Sequence, residues 1–157
     1  MVKKESFIII SDTGPIIFLL QINELKILNK LYGEITITSD VYKEIETPVQ
    51  KKLLDSEIKK GWIKRINLKP LEIFQNLGSG EASSISLALK YEECLLIMDE
   101  KKARAVARAN GIKITGSIGI LLLAKKKKLI KDMNKVIQQI NQNNFWISED
   151  LITKLKQ

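Results

Sequence analysis

Two uninterrupted apolar runs, Phe7-Ile8-Ile9-Ile10 and Leu95-Leu96-Ile97-Met98, each give way within two residues to an aspartate, Asp12 or Asp99. A strand with one wet face alternates apolar and polar residues. A run with no polar position suits a strand covered on both faces, as in parallel sheets. That covering requires helices, and the sequence supplies them between the strand signals. Ile35-Thr36-Ile37-Thr38 alternates like a strand, and Trp62 to Ile66 and Ile112 to Thr115 read as short ones. Phe145-Trp146-Ile147 is a further strand-like segment.

Gly14 and Pro15 suit a helix start, Pro having no N–H to leave unpaired there. The helical pattern from Ile16 to Leu31 breaks near Asn23. Ser39 or Asp40 can cap a helix through Val41, Glu44 and Ile45. Pro48 opens a helix closed by Gly61, and Lys101 to Asn110 is a helix stopped by Gly111. Residues 81–90, the stretch from Ile118 into the lysine run 125–128, and residues 148–155 have helical composition. Ile130, Met133, Val136, Ile137 and Ile140 recur at helical spacing. Strands alternating with helices predict an α/β fold of three layers: a central parallel sheet with helices on both faces. No linker, repeat or low-complexity stretch interrupts residues 1–157, which read as one domain.

Hydrophobic residues make up 45% of the chain and aromatics 6%, so the core is aliphatic. The longest apolar runs, residues 16–20 and 118–124, fall far short of the roughly 20 residues that span a bilayer. Lys3, Lys4 and Glu5 precede too short an apolar stretch for a secretory signal. Cys94 is the only cysteine, which excludes an internal disulfide and reads as a buried structural thiol. The expected setting is cytoplasmic.

The net charge is +8, from 26 basic and 18 acidic residues, and there is no histidine. The basic excess suits a polyanionic partner or a lysine-rich solvated surface. The missing histidine removes Ser-His triads and His-ligated zinc. Chemistry must rest on carboxylates, Lys, Tyr or a metal.

In open α/β sheets, ligands bind beyond the carboxyl ends of the strands. Asp12 and Asp99 follow the two most apolar strands, and Glu81 opens a helix after Leu77-Gly78-Ser79-Gly80. Carboxylates gathered there repel one another. A divalent cation relieves that repulsion, and an all-oxygen ligand set suits Mg²⁺ or Mn²⁺. Each acid also has a structural use: Asp12 and Asp99 can cap the following helices, and Glu81 can favour its helix dipole. Lys102, Arg104, Arg108 and the lysine run 125–128 read either as phosphate contacts or as solvated faces and a balanced helix C-terminus.

Ile10-Ser-Asp12-Thr-Gly-Pro-Ile-Ile followed by Val41-Tyr-Lys-Glu44-Ile resembles the opening of PIN-domain proteins. Gly80-Glu81-Ala-Ser-Ser-Ile-Ser-Leu-Ala-Leu, Met98-Asp99-Glu-Lys-Lys-Ala-Arg104 and Thr115-Gly-Ser-Ile-Gly-Ile-Leu-Leu-Leu-Ala-Lys125 resemble a branch of stand-alone prokaryotic PIN-like proteins related to ribonuclease toxins. The resemblance covers nearly the whole chain, in order. It implies a metal-dependent endonuclease acting on RNA, with Mg²⁺ or Mn²⁺, and the role of a toxin with an antitoxin protein as partner. It also implies a tendency to homodimers.

By that resemblance Asp12, Glu44, Glu81 and Asp99 are the catalytic and metal-binding acids, and Glu100 competes with Asp99 for the late position. Ser11, Thr13, Ser117 and Arg104 are the expected supporting or phosphate-contacting residues. Two departures stand out: Ile97-Met98-Asp99 replaces the usual Thr-x-Asp, and Gly116-Ser117 stand where some relatives carry a further acid. The competing reading is a catalytically weak or inactive PIN-like module that binds nucleic acid or protein. Asp12-Thr13-Gly14 also matches the aspartic protease signature, but a single copy in α/β patterning lacks the β scaffold such an enzyme needs.

Overall fold

A computed structural model describes residues 5–157; Lys3 and Lys4 lie outside them. Five strands form one all-parallel sheet: β1 (Glu5–Ser11), β2 (Ile35–Thr38), β3 (Ile63–Ile66), β4 (Tyr91–Ile97) and β5 (Lys113–Thr115). Their order is β3-β2-β1-β4-β5. The chain therefore winds from β1 outward to β3, then crosses back to β4 and continues to β5. The reversal leaves β1 and β4 side by side, and in open α/β sheets the crevice for ligands lies beyond the carboxyl ends of the strands at such a reversal.

The expected central strands are in place. Ile9, Ile35, Ile37, Ile63 and Ile97 face one apolar layer, and Ile8, Ile10, Leu96 and Met98 face the other. The first layer packs on α1 (Thr13–Gln21), α2 (Lys26–Tyr32), α3 (Ser39–Glu44), α4 (Pro48–Lys60), α7 (Ser117–Lys126), α8 (Met133–Gln142) and α9 (Glu149–Lys156). The second packs on α5 (Ser79–Ala88) and α6 (Lys101–Ala109), with Phe74 wedged beside them. The break near Asn23 separates α1 from α2, and Asn23 has a positive φ of 57°. No helix among the described residues is long and apolar enough to cross a membrane.

Three expectations need correction. Phe7 is 55% exposed. Because Ile10 pairs with Thr36, β1 overhangs the start of β2 and has no strand on that side there. Residues 145–147 are not a strand. They form a strap in which Phe145 packs edge-on against Phe18, with ring centroids 4.8 Å apart, while Trp146 projects outward. Cys94 is half-buried rather than buried, and its desolvated thiol is pushed up to about 12.

Candidate functional site

The crevice is built from the first residues after β1, β4 and β5, the end of α3 and the start of α5. Asp12 leaves β1 with its backbone N–H donated to the carbonyl of Ile97, 2.8 Å away, which ties the exits of β1 and β4 together. Its side chain occupies the N-cap position of α1 yet makes no capping bond. Asp12 is 5% exposed, and its Oδ1 is buried with no hydrogen-bond partner. Burial is the main cause that raises its pKa to about 7. The Thr13 backbone N–H opposes that rise, and the charges of Glu81, Glu44 and Asp99 add to it. Asp12 thus feels all three of the other expected acids.

Those acids are held in different ways. Glu44 is the last residue of α3 and lies at the surface, but both of its carboxylate oxygens are engaged. Oε2 accepts from the Thr13 hydroxyl at 2.6 Å, and Oε1 accepts from the Gly80 backbone N–H at 2.7 Å. A side chain at position 80 would collide with this grip: a Cβ there would sit 2.7 and 2.8 Å from the Glu44 oxygens and 2.8 Å from Thr13 Oγ1. Glu81, in the first turn of α5, has its pKa raised by burial first and then by Glu100 and Glu44. The α5 entrance is itself moored to β2, since Thr38 and Ser83 share a 2.7 Å hydroxyl bond and Ser83 donates to the Gly80 carbonyl.

Asp99 and Glu100 diverge. Asp99 Oδ1 accepts from the Ser117 N–H at 2.7 Å, and its Oδ2 accepts from the Ser117 hydroxyl. Glu100 instead caps α6, accepting from Ala103 N–H at 2.7 Å, and the backbone donors there hold its carboxyl below the ordinary range. The capping role considered for Asp99 belongs to Glu100, while the Asp99 charge acts on Asp12. Gly116-Ser117 serves as Asp99's cradle. A Cβ on Gly116 would lie 2.8 Å from Asp99 Oδ1 and 2.7 Å from Arg104 Nη1.

The supporting residues also divide. Thr13 and Ser117 orient acids, Thr13 donating to Glu44 and Ser117 to Asp99. Ser11 does not: its hydroxyl donates to the backbone carbonyl of Asp12 at 3.0 Å and braces the strand exit. Arg104 donates to the Met98 carbonyl at 2.9 Å and stiffens the turn that carries Asp99. The lysine run lies elsewhere. It ends α7, whose N-terminus is at the site, so it sits about 15 Å away along the helix. Lys125 there donates to the Lys154 carbonyl.

The expectation that Asp12, Glu81 and Asp99 meet around a single ion is not met in full. Among the described residues, no three acids are drawn together closely enough to form a ready ligand group. Asp99 and Glu44 are turned onto protein donors, and Asp12 is left as the buried carboxylate with a free oxygen. The donor chemistry still fits a hard cation, being carboxylate oxygen throughout with an orphaned acceptor at its centre.

Sequence reasoning missed Gly80 and Gly116. Their part is to lack a side chain where backbone and carboxylate approach closely, and only the packed site reveals it. A family model described as PIN domain matches residues 8–157. No match is found among curated proteins. The parallel sheet covered by helices on both faces agrees with the match: the chain belongs to the PIN-domain family, a nuclease-type fold.

Proposed function

We propose that the protein is a metal-dependent endonuclease that hydrolyses phosphodiesters of RNA. The observation that carries the reading is Asp12: a buried carboxylate with an unpartnered oxygen, under the charge of Glu44, Glu81 and Asp99 at the sheet's reversal point. Leaving such a group unsatisfied costs stability, and a cation supplied from solution offsets that cost. Asp12, Asp99 and Glu81 would hold Mg²⁺ or Mn²⁺. When bound, the ion lowers the pKa of a water molecule and stabilises charge building on the phosphate.

The chain's own residues do the rest. Thr13 and the Gly80 N–H fix Glu44 at the rim, where it can orient a water molecule or accept its proton. Ser117 keeps Asp99 aimed at the crevice, and Arg104 keeps the Met98–Asp99 turn from moving. The basic excess draws the polyanion toward an acidic cleft that would otherwise repel it.

The test is cleavage of a labelled structured RNA with Mn²⁺ or Mg²⁺, with chelator, and with Asp12→Asn protein. We expect metal-dependent cleavage that Asp12→Asn lowers by orders of magnitude. Asp12→Asn protein cutting as fast as wild type ends the proposal. The second reading, an inactive PIN-like binding module, is favoured by the absence of a ready three-acid group among the described residues. It expects no heat of Mn²⁺ binding in calorimetry and retained RNA affinity. The sequence resemblance to ribonuclease toxins supports a cytoplasmic toxin restrained by an antitoxin protein. Growth arrest on expression, relieved by Asp12→Asn, checks that role.

A further inference from the structure

Beside the acidic crevice lies a cationic cluster that the hydrolytic proposal does not use. Tyr42, on α3, presents its ring to two cations: the Arg65 guanidinium carbon lies 3.8 Å from the ring centroid and Lys51 Nζ lies 4.1 Å from it. The Tyr42 hydroxyl donates to Asp55 at 2.7 Å, so the ring is pinned at its far end. Lys51 is also tied down, donating to the Tyr42 carbonyl at 3.1 Å. Arg65 differs. Its Nε makes one long contact with Ser39 Oγ at 3.4 Å, and no carboxylate of the described residues lies within ion-pair distance of it.

Arg65 is exposed, yet its guanidinium carbon is seated over the ring beneath it. A guanidinium seated on a ring, with its terminal N–H groups unengaged among the described residues, is preorganised for a phosphate, since less side-chain entropy remains to be lost. Its position also matters. Arg65 pairs with Ile37 near the carboxyl ends of β3 and β2, the same sheet edge that carries the acids. Helix α3 spans the gap: Ser39 at its start touches Arg65, and Glu44 at its end joins Thr13 and Gly80. The rise from Ser39 to Glu44 is roughly 8 Å. That spacing suits a phosphate a short step along the strand from the bond to be cut.

We infer that Arg65, laid on the Tyr42 ring, is the phosphate grip that sets the path of single-stranded RNA across the β2–β3 side of the crevice. The inference rests on the nuclease reading for its substrate, but its test does not need cleavage. Binding of a short fluorescent oligouridylate is followed by anisotropy over a salt series, in chelator, on the Asp12→Asn background. Arg65→Ala should weaken binding about tenfold and reduce the salt slope by about one. Arg65→Lys should keep the slope yet lose about threefold in affinity, because it keeps charge but not the planar fork. Tyr42→Phe should bind like its parent, whereas Tyr42→Leu should match Arg65→Ala. Lys127→Ala, one charge removed at the far end of α7, should change affinity less than about twofold. Arg65→Ala binding like its parent overturns the inference, and so does Lys127→Ala costing as much. Polyglutamate competing as well as RNA overturns it too, by pointing to an acidic protein partner. Should the intact chain never cleave RNA, the nuclease reading falls while this readout stands.

Discussion

Replacing Asp12 by asparagine should stabilise the metal-free protein, and only above a certain pH. Folding raises the Asp12 pKa from 3.8 to about 7. The folded protein therefore keeps a proton that the unfolded chain has already released. For a carboxyl raised in this way, stability falls as pH climbs from the unfolded value through the folded one. The penalty is absent below about pH 4 and complete above about pH 7. A difference of about three units at 1.36 kcal/mol each gives about 4 kcal/mol, an upper bound where water relieves part of the charge. For a chain of this size that corresponds to a melting shift on the order of 10 °C.

Asparagine keeps the shape and carries no charge, so the variant escapes the penalty. Thermal melts in chelator should show wild type and Asp12→Asn converging near pH 4 and separating toward pH 8, with the variant higher. Adding Mn²⁺ at pH 8 should then narrow the gap from below. Metal at about 100 times its Kd raises wild type by about 2.7 kcal/mol and leaves the variant unmoved. A gap that is the same at pH 5 and pH 8 would refute the argument, because the effect would then be one of shape and not of charge. A variant less stable at pH 8 refutes it more directly, by making Asp12 a helix cap.

Gly80→Ala and Gly116→Ala should each cost about 1–3 kcal/mol and at least about tenfold in cleavage, because the added carbon lands on the Glu44 and Asp99 supports respectively; paired melting and cleavage assays check both. Gly78→Ala is the control, since its Cβ would meet only the flexible Glu81 carboxylate at 3.4 Å, and it should retain activity. Cys94, with its thiol pushed up to about 12, should resist alkylation at pH 8 and react at the rate of a model thiol only after unfolding; fast labelling of the folded protein contradicts its packing.

Much of this fold is legible before any coordinates. Phe7–Ile10 and Leu95–Met98 announce a doubly covered sheet because no polar residue interrupts them, and Gly14-Pro15 and Gly111 mark helix ends by backbone chemistry alone. The acids at strand ends follow directly. What stays hidden is adjacency. Nothing local says that β1 lies between β2 and β4, and that placement is what puts Asp12 beside Asp99. Asp99 and Glu100 are neighbours with the same chemistry, and only the phase of α6 decides which one caps it and which one turns to Ser117. Phe145-Trp146-Ile147 misleads for a related reason: aromatic and β-branched residues suit an edge strand and a packing strap equally well. Tyr42 and Arg65 are far apart in sequence, and their stacking exists only once β2 and β3 have paired.

The raised Asp12 pKa has a consequence for catalysis as well as for stability. A proton and a hard cation compete for the same carboxylate, so on the proposed function the cleft would load metal only as Asp12 deprotonates. Cleavage should therefore rise with pH and reach half its plateau near pH 7 when metal is scarce. Because the competition is direct, a tenfold higher metal concentration should move that midpoint down by up to about one pH unit, as mass action requires. A general base acting without the cation would behave otherwise, since its titration in the free protein would hold the midpoint fixed as metal is varied. The measurement is a pair of pH–rate profiles at low and high Mn²⁺ under single-turnover conditions. A midpoint that does not move with metal would leave Asp12 as a proton acceptor and assign ion binding to Asp99 and Glu81. A midpoint that moves by the expected amount makes Asp12 the carboxylate that the ion must win from a proton.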